Sequence, residues 1–116
     1  MTTPKALLKA LDARDGRVCA WHGVACGDET LSPHHRGNRG AGGRPSMNRL
    51  SNLVWLCSYW NGRIESDTEA AIQARILGIK ISSHADPDAE PITHAVHGRC
   101  FLNDDGTVSR VEKEVA

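Results

Sequence analysis

The sequence predicts a small α+β domain, and three local patterns indicate this fold class. An amphipathic helix is expected near the start of the chain, where four apolar residues form one stripe: Ala6, Leu7, Ala10 and Leu11. A short apolar strand is expected over 53–57, and the Asn-Asp-Asp-Gly turn at 103–106 predicts a hairpin between segments 92–102 and 107–111. Because 116 residues are too few for two stable cores, we expect a single domain over residues 1–116.

The first half of the chain has recognisable start and stop signals. Thr3 is placed to cap the first helix, Pro4 suits its first position, and Asp15-Gly16 is a stop signal. A strand is expected over 31–36, and a Gly-rich loop follows over 37–51. A loop of this length in a compact domain is usually either functional or disordered.

The second half of the chain contains two further helix signals. Residues 58–65 can form a helix, and a clearer helix begins after the cap residue Asp67 and ends at Gly78. Ile79 and Ile81 are then expected on one side of a short strand.

Composition excludes several classes of protein. The chain is 40% hydrophobic and 24% charged, which is typical of globular domains and not of disordered or fibrous ones. No apolar run approaches the roughly 18 residues that cross a bilayer, and the first residues lack the apolar region of a signal peptide. We therefore expect a soluble domain of the cytoplasm with no membrane partner.

The net charge of zero conceals an uneven distribution. The chain has 14 Lys and Arg against 14 Asp and Glu, but the window 30–64 contains no acidic residue and five arginines: Arg36, Arg39, Arg44, Arg49 and Arg63. A guanidinium presents a planar fork of donors that suits phosphate, and Gly-rich backbone can approach a phosphate closely. The window indicates a phosphate ligand, and a flexible solvated loop is the alternative if the charges are considered alone.

The same window contains two adjacent histidines and two asparagines: His34, His35, Asn52 and Asn61. Neighbouring residues on a strand point to opposite faces, so His34 and His35 are expected to have different roles. Hydrolysis of a phosphodiester requires a more basic water, charge stabilisation on the phosphate and stabilisation of the leaving oxygen. One imidazole base, one divalent cation and arginine can meet these three requirements.

The order of these residues resembles the His-Asn-His (HNH) nuclease motif. The resemblance covers about residues 17–66 and rests on His34-His35-Arg36, the loop with Gly42-Gly43, the segment 51–57 and Asn61. Within this family, the chain looks like small HNH proteins of actinobacterial phages and prophages. This resemblance implies a ββα-metal core that binds one divalent cation, Mg²⁺ or Mn²⁺, with an N-terminal helix and a C-terminal β-hairpin added to it.

The resemblance also implies a role for each site residue. His35 is the general base, His34 is a metal ligand, and Asn52 holds the imidazole of the base in orientation. Asn61 takes the closing position of the motif, where many relatives have His, as the second metal ligand. The implied activity is that of a DNA endonuclease or nickase, which hydrolyses phosphodiester bonds.

Double-stranded or branched DNA is the implied partner, and the five arginines of the window are expected to contact its backbone phosphates. Phage HNH proteins are often associated with the terminase, so a terminase subunit is a second implied partner in the host cytoplasm. The alternative is a catalytically degenerate HNH-fold protein that binds DNA or assists phage packaging. A third interpretation is an interaction module held together by zinc.

Four cysteines are present: Cys19, Cys26, Cys57 and Cys100. Without a secretion signal, metal ligation or burial is a better interpretation than disulfides. Many HNH proteins carry a structural zinc in two Cys-x-x-Cys knuckles, and the corresponding candidate here is Cys19, His22, Cys26 and Cys57. Trp60 stands where the second knuckle would have a ligand, so buried free thiols are the alternative. Cys100 is expected in the core.

The remaining histidines are expected to be structural or solvent-exposed. His94 and His97 are predicted on opposite faces of one strand, and His84 lies in a polar loop. Trp55 and Trp60 are expected to pack against the core.

Overall fold

Two small antiparallel sheets and three α-helices make up the structure, a computed structural model that describes residues 3–37 and 47–111. Within these residues the helices are α1 (Lys5–Asp15), α2 (Ser58–Ser66) and α3 (Thr68–Leu77). One sheet contains β1 (Leu31–His35) and β2 (Leu53–Cys57), and the other contains β3 (Ile92–His94), β4 (Gly98–Leu102) and β5 (Val108–Arg110). The predicted α+β class is confirmed.

Strand β2 lies at the centre of the domain and is buried along its whole length. Val54 and Leu56 belong to the larger apolar cluster, which α2, α3 and the C-terminal sheet complete. Leu53 and Trp55 belong to a smaller cluster with α1. Burial on both faces explains why segment 53–57 is a continuous apolar run and does not alternate.

Helix α1 ends where the sequence predicts but begins without the predicted cap. Gly16 ends the helix with a positive φ of 66°. At the other end Pro4 occupies the N-cap position, and no side chain caps the helix there. The capping prediction for Thr3 is therefore wrong, because the helix begins one residue later than a Thr3 cap requires.

Helix α3 has both of its predicted caps. The Asp67 carboxylate accepts hydrogen bonds from the backbone N–H groups of Glu69, at 3.0 Å, and Ala70, at 3.4 Å. Gly78 ends the helix in the left-handed conformation, with φ 77°. A Cβ at this position would also collide with the Pro91 carbonyl oxygen, so both the conformation and the close approach require glycine.

The C-terminal segment 92–102 forms two strands, where the sequence predicted one. A turn at 95–97 separates β3 from β4, and the Ala95 N–H donates to the Ala20 carbonyl at 2.8 Å. The Val96 N–H donates to His94 Nδ1 at 3.0 Å, which closes the turn. Because the turn reverses the chain, His94 and His97 can meet on the same side of the sheet.

Two other predictions for this half of the chain have different outcomes. The hairpin at 103–106 is confirmed, because β4 and β5 pair across it. The prediction of a short strand around 79–81 is wrong, since Ile81 forms only one isolated β-bridge, to Gly37, and Ile79 is buried in the core. In the described ranges, none of the helices combines the length and apolar character needed to cross a bilayer.

Arg36 follows β1 into the interior and is only 1% exposed. Its guanidinium donates to backbone carbonyls of five residues: Ser51, Gly78, Pro87, Glu90 and Pro91. Burial lowers the pKa of Arg36 to about 10, so the side chain stays charged at neutral pH. The expectation that Arg36 contacts DNA phosphate is wrong, because its N–H groups are used by backbone carbonyls. These hydrogen bonds join the segment before β2 to the loops that follow α3.

A buried ion pair, Arg14–Asp15, joins α1 to the rest of the domain. Arg14 makes two hydrogen bonds of 2.7 Å to the Asp15 carboxylate and donates to two backbone carbonyls of segment 50–53. The same carboxylate accepts from His94 Nε2 at 3.2 Å and His97 Nε2 at 2.7 Å. The prediction that His94 and His97 occupy opposite faces of one strand is therefore wrong.

Candidate metal centre and functional site

Three cysteines and one histidine converge at one end of β2. Cys19, His22 and Cys26 lie in the loop after α1, and Cys57 is the last residue of β2. One ligand atom from each of the four residues lies within 4.8 Å of the other three. Cys19 and Cys57 are buried, whereas His22 is exposed. The structure thus brings together the four candidate zinc ligands in a cluster that can hold a metal ion.

Backbone hydrogen bonds hold the ligand loop against β2. The Ala20 N–H donates to the Trp55 carbonyl at 2.8 Å, which fixes the loop beside the strand. The Gly23 N–H donates to the Cys19 carbonyl at 2.9 Å and closes a turn that requires the positive φ of Gly23, 69°. Inside this turn the His22 N–H points at Cys19 Sγ, 3.5 Å away, and such a contact stabilises a thiolate.

The donor set and its spacing fit zinc. Tetrahedral Zn–S bonds of about 2.3 Å place the ligand atoms about 3.8 Å apart. His22 Nδ1 lies 3.1 Å from Cys26 Sγ and 3.7 Å from Cys57 Sγ. Thiolate and imidazole ligands favour zinc, whereas Mg²⁺ and Mn²⁺ prefer oxygen ligands. Any Mg²⁺ or Mn²⁺ must therefore bind elsewhere in the chain.

We predict that zinc binding at pH 7 releases about two to three protons per ion, because the ligands must be thiolates. Desolvation and the neighbouring thiols of Cys57 and Cys19 raise the pKa of Cys26 to about 12, so this thiol is protonated before the metal binds. A pH indicator in weakly buffered solution measures the release during a zinc titration. Release of fewer than one proton per ion would contradict ligation by the thiolates.

Two stacked tryptophans lie beside the exposed ligand of the cluster, His22. Trp21 and Trp60 are stacked with ring centroids 4.1 Å apart, and Trp60 Nε1 donates to His22 Nε2. A neutral His22 that binds a metal through Nδ1 carries its proton on Nε2, where it would oppose the indole N–H. We therefore expect Trp60 to reorient when the metal binds. The Trp60 side chain has no atom that can bind a metal ion, but it contacts His22, one of the four residues that can.

The two histidines of β1 have different surroundings, as the sequence predicts. His34 is buried, and its Nε2 donates to the Ile79 carbonyl at 3.0 Å, which leaves the lone pair on Nδ1. Burial lowers the pKa of His34 to about 4, so the ring is neutral at pH 7. His35 is half-buried, and its Nε2 donates to Asn48 Oδ1 at 2.9 Å.

Asn52 has a different role from the predicted one. Its Oδ1 accepts from the Gly37 N–H at 2.7 Å, and its Nδ2 donates to the carbonyls of Gly37, at 3.1 Å, and Met47, at 2.9 Å. The buried amide therefore joins the two ends of the connection between β1 and β2. The expectation that Asn52 orients the imidazole of His35 is wrong, because these backbone groups use its amide and Asn48 contacts the ring.

Asn61 lies on α2 and faces β1. Its Nδ2 donates to Ser32 Oγ at 2.9 Å, which leaves the amide oxygen Oδ1 as the atom that can bind a cation. Glu65 follows one turn later on the same helix, and Lys80 Nζ lies 3.5 Å from its Oε1. A carboxylate is thus present on this side of α2, and it is paired with a lysine.

The other predicted phosphate-binding arginines are distributed differently from the sequence expectation. Arg49 is surrounded by three carboxylates, those of Asp86, Asp88 and Asp104, at 2.7–3.3 Å. Arg63 is partly exposed and pairs with Asp67 at 2.6 Å. Arg39 and Arg44 lie outside the described residues. The three acidic partners argue against phosphate contact by Arg49, since phosphate would have to compete with them.

Asp15, His94 and His97 form a second cluster of metal-ligating residue types. The hydrogen bonds argue against a metal there. His94 Nδ1 accepts from the Val96 N–H, so the proton of the neutral ring is on Nε2, the atom that faces Asp15. Arg14 also occupies both oxygens of the Asp15 carboxylate. This cluster is a structural hydrogen-bond network.

No family model, curated protein or solved structure matches the chain. The assignment of function therefore rests on the site residues and on the sequence resemblance. Sequence reasoning missed Asn48, since an asparagine in a Gly-rich loop carries no signal of which side chain it will contact. It also missed the Asp15 network, whose members are up to 82 positions apart.

Proposed function

We propose that this chain is a metal-dependent DNA endonuclease or nickase of the HNH type. The observation that carries the proposal is that the antiparallel pair β1–β2 leads directly into α2, with Asn61 bonded to Ser32 across the junction. Ser32 and His34 lie on the same face of β1, so Asn61 and His34 are on the same side of the sheet. This layout agrees with the ββα-metal core that the HNH resemblance implies.

His34 and Asn61 are the residues that would hold a Mg²⁺ or Mn²⁺ ion. His34 is neutral with its lone pair on Nδ1, and Asn61 has its amide oxygen available on the same side of β1. A cation held there would stabilise charge on the phosphate and on the leaving oxygen. Because neither ligand is a carboxylate, we expect weak affinity that water and DNA phosphate complete.

His35 is the proposed general base. Its bond to Asn48 keeps the proton on Nε2 and the lone pair on Nδ1, which takes a proton from the attacking water. The hydroxide then attacks phosphorus, the bond to the leaving oxygen breaks, and that oxygen receives a proton from solvent. Arg39, Arg44 and Arg63 are the remaining proposed contacts to backbone phosphates, and the affinity should fall as salt rises.

The Cys19, His22, Cys26 and Cys57 cluster is the proposed structural zinc site. Four protein ligands would close the coordination shell, which is typical of structural zinc and not of catalytic zinc. Cys57 immediately precedes α2, so an ion there would fix the start of the helix that carries Asn61. The zinc would therefore support the catalytic residues without taking part in the chemistry.

The test is plasmid nicking with Mg²⁺ or Mn²⁺ by the wild type and by His35→Ala. We expect the variant to be slower by a factor of about 100 or more, because the general base is lost. His84→Ala is the matched control, since His84 lies in an exposed loop and should nick at the wild-type rate. If wild type and His35→Ala are equally inert with every metal ion, the proposed nuclease activity is refuted.

The alternative is an inactive HNH-fold accessory that binds DNA or a phage terminase subunit. The absence of a carboxylate from the two proposed ligands, together with the pairing of Glu65 to Lys80, favours this alternative. A salt-dependent gel shift without cleavage, and binding to a terminase subunit, would support it over the nuclease. One tightly held zinc per chain with no DNA affinity would instead support a zinc-braced interaction module.

A further inference from the structure

Asn48 lies where the chain returns to β2, and its side chain contacts the proposed base. Asn48 Oδ1 accepts the hydrogen bond from His35 Nε2 at 2.9 Å. A ring nitrogen that donates a proton to an acceptor fixes the tautomer, so the other nitrogen carries the lone pair. The contact therefore decides which nitrogen of His35 can act as a base.

Both neighbours of Asn48 are held by side-chain contacts. On one side, the Met47 carbonyl accepts from Asn52 Nδ2 at 2.9 Å. On the other side, the Arg49 guanidinium is held by Asp104 at 2.7 Å, in addition to Asp86 and Asp88. The same Asp104 carboxylate accepts from the backbone N–H and the hydroxyl of Ser51. The β4–β5 turn thus braces the segment that carries Asn48.

We infer that Asn48 is the positioning residue of His35, the role that the motif resemblance implies for Asn52. The inference rests on the proposed function, because it concerns the base of that reaction. It also gives the C-terminal sheet a part in the site, although this sheet lies beyond the residues that resemble the motif. The acidic partners of Arg49 then serve to hold Asn48 in place.

The experiment combines imidazole NMR with nicking kinetics for wild type, Asn48→Ala and Asn48→Asp. In Asn48→Ala we expect the Nε2-protonated tautomer of His35 to lose its dominance, and kcat to fall about 10- to 100-fold with KM unchanged. In Asn48→Asp a carboxylate oxygen replaces the amide oxygen as the acceptor opposite Nε2. We therefore expect this variant to keep the Nε2-protonated tautomer of His35 and to retain kcat within about 10-fold of wild type.

His84 and Gln73→Ala are the controls. His84 is an exposed histidine whose ring signals should be the same in all variants, and Gln73 is an exposed amide of α3 whose loss should leave His35 unchanged. An active wild type whose His35 tautomer and kcat are unchanged in Asn48→Ala would overturn the inference alone. An inert wild type whose His35 tautomer still changes in Asn48→Ala would refute the nuclease, and with it the positioning of a catalytic base by Asn48.

Discussion

Removal of the metal ion from the Cys19, His22, Cys26 and Cys57 centre is expected to lower the midpoint of thermal unfolding by about 15 °C or more. An ion that binds only the folded chain stabilises it by about 4 kcal/mol at a free concentration about a thousand times its dissociation constant. For a domain of this size, 1 kcal/mol shifts the midpoint by about 4 °C. Calorimetry of zinc-loaded and chelator-treated protein measures the difference.

Two cysteine variants separate this effect from the general cost of losing a buried thiol. Cys57→Ala removes a ligand, whereas Cys100→Ala removes an equally buried thiol of β4 that lies outside the centre. We expect Cys100→Ala and wild type to bind one Co²⁺ with thiolate-to-metal absorption and a change in tryptophan fluorescence. We expect neither signal from Cys57→Ala. A chelator that leaves the wild-type midpoint unchanged would contradict a structural metal.

Asp15→Asn is expected to reduce the free energy of unfolding by about 3–5 kcal/mol, because it leaves the buried Arg14 guanidinium without its counter-charge. The new amide would also direct a donor toward Arg14, His94 or His97, which are donors themselves. Asp12→Asn is the matched control, since Asp12 lies on the same helix and forms an exposed pair with Arg17, which follows the helix. That change should cost less than about 1 kcal/mol. Urea unfolding of wild type, Asp15→Asn and Asp12→Asn measures both losses in the free energy of unfolding.

The pH dependence of unfolding provides a second measurement of the Asp15 network. Burial alone raises the pKa of Asp15, but hydrogen bonds from Arg14 and His94 outweigh it and hold the pKa well below its usual range. The carboxylate therefore contributes stability above about pH 4, the pKa of an unfolded Asp, and this contribution is lost as the pH falls toward the folded pKa. Wild type should lose stability below pH 4 more steeply than Asp15→Asn. Parallel curves for the two proteins would contradict this account.

Local signals predicted most of the helices and strands. The Asp67 cap and Gly78 stop define α3, and the apolar run 53–57 defines β2, because these signals act within a few residues. Segment 92–102 was predicted as one strand although it contains a turn signal, Gly98, which has a φ of 74° at the end of the turn. The turn at 95–97 depends on Ala95 pairing with Ala20, a residue 75 positions earlier in the chain.

The candidate site was predicted in part. The four members of the Cys/His cluster were expected from the zinc knuckles that the HNH resemblance implies, even though their spacing is irregular, and the structure brings them together. The roles of Arg36 and Asn52 were predicted wrongly. A guanidinium can donate to phosphate or to backbone carbonyls, and an amide can bind an imidazole or backbone groups. Residue type alone therefore could not indicate that both side chains would be buried against the backbone.

The sequence by itself determined the α+β class, the limits of the main helices and the residue types that can bind metal. These properties follow from periodicity, caps and donor chemistry, which are local or belong to single side chains. Only the tertiary structure decided which donors meet: the Cys/His cluster at the end of β2, Asn48 against His35, and the histidines around Asp15. Each of these contacts joins segments distant in the chain, and their approach is set by the packing of β2 between two apolar clusters.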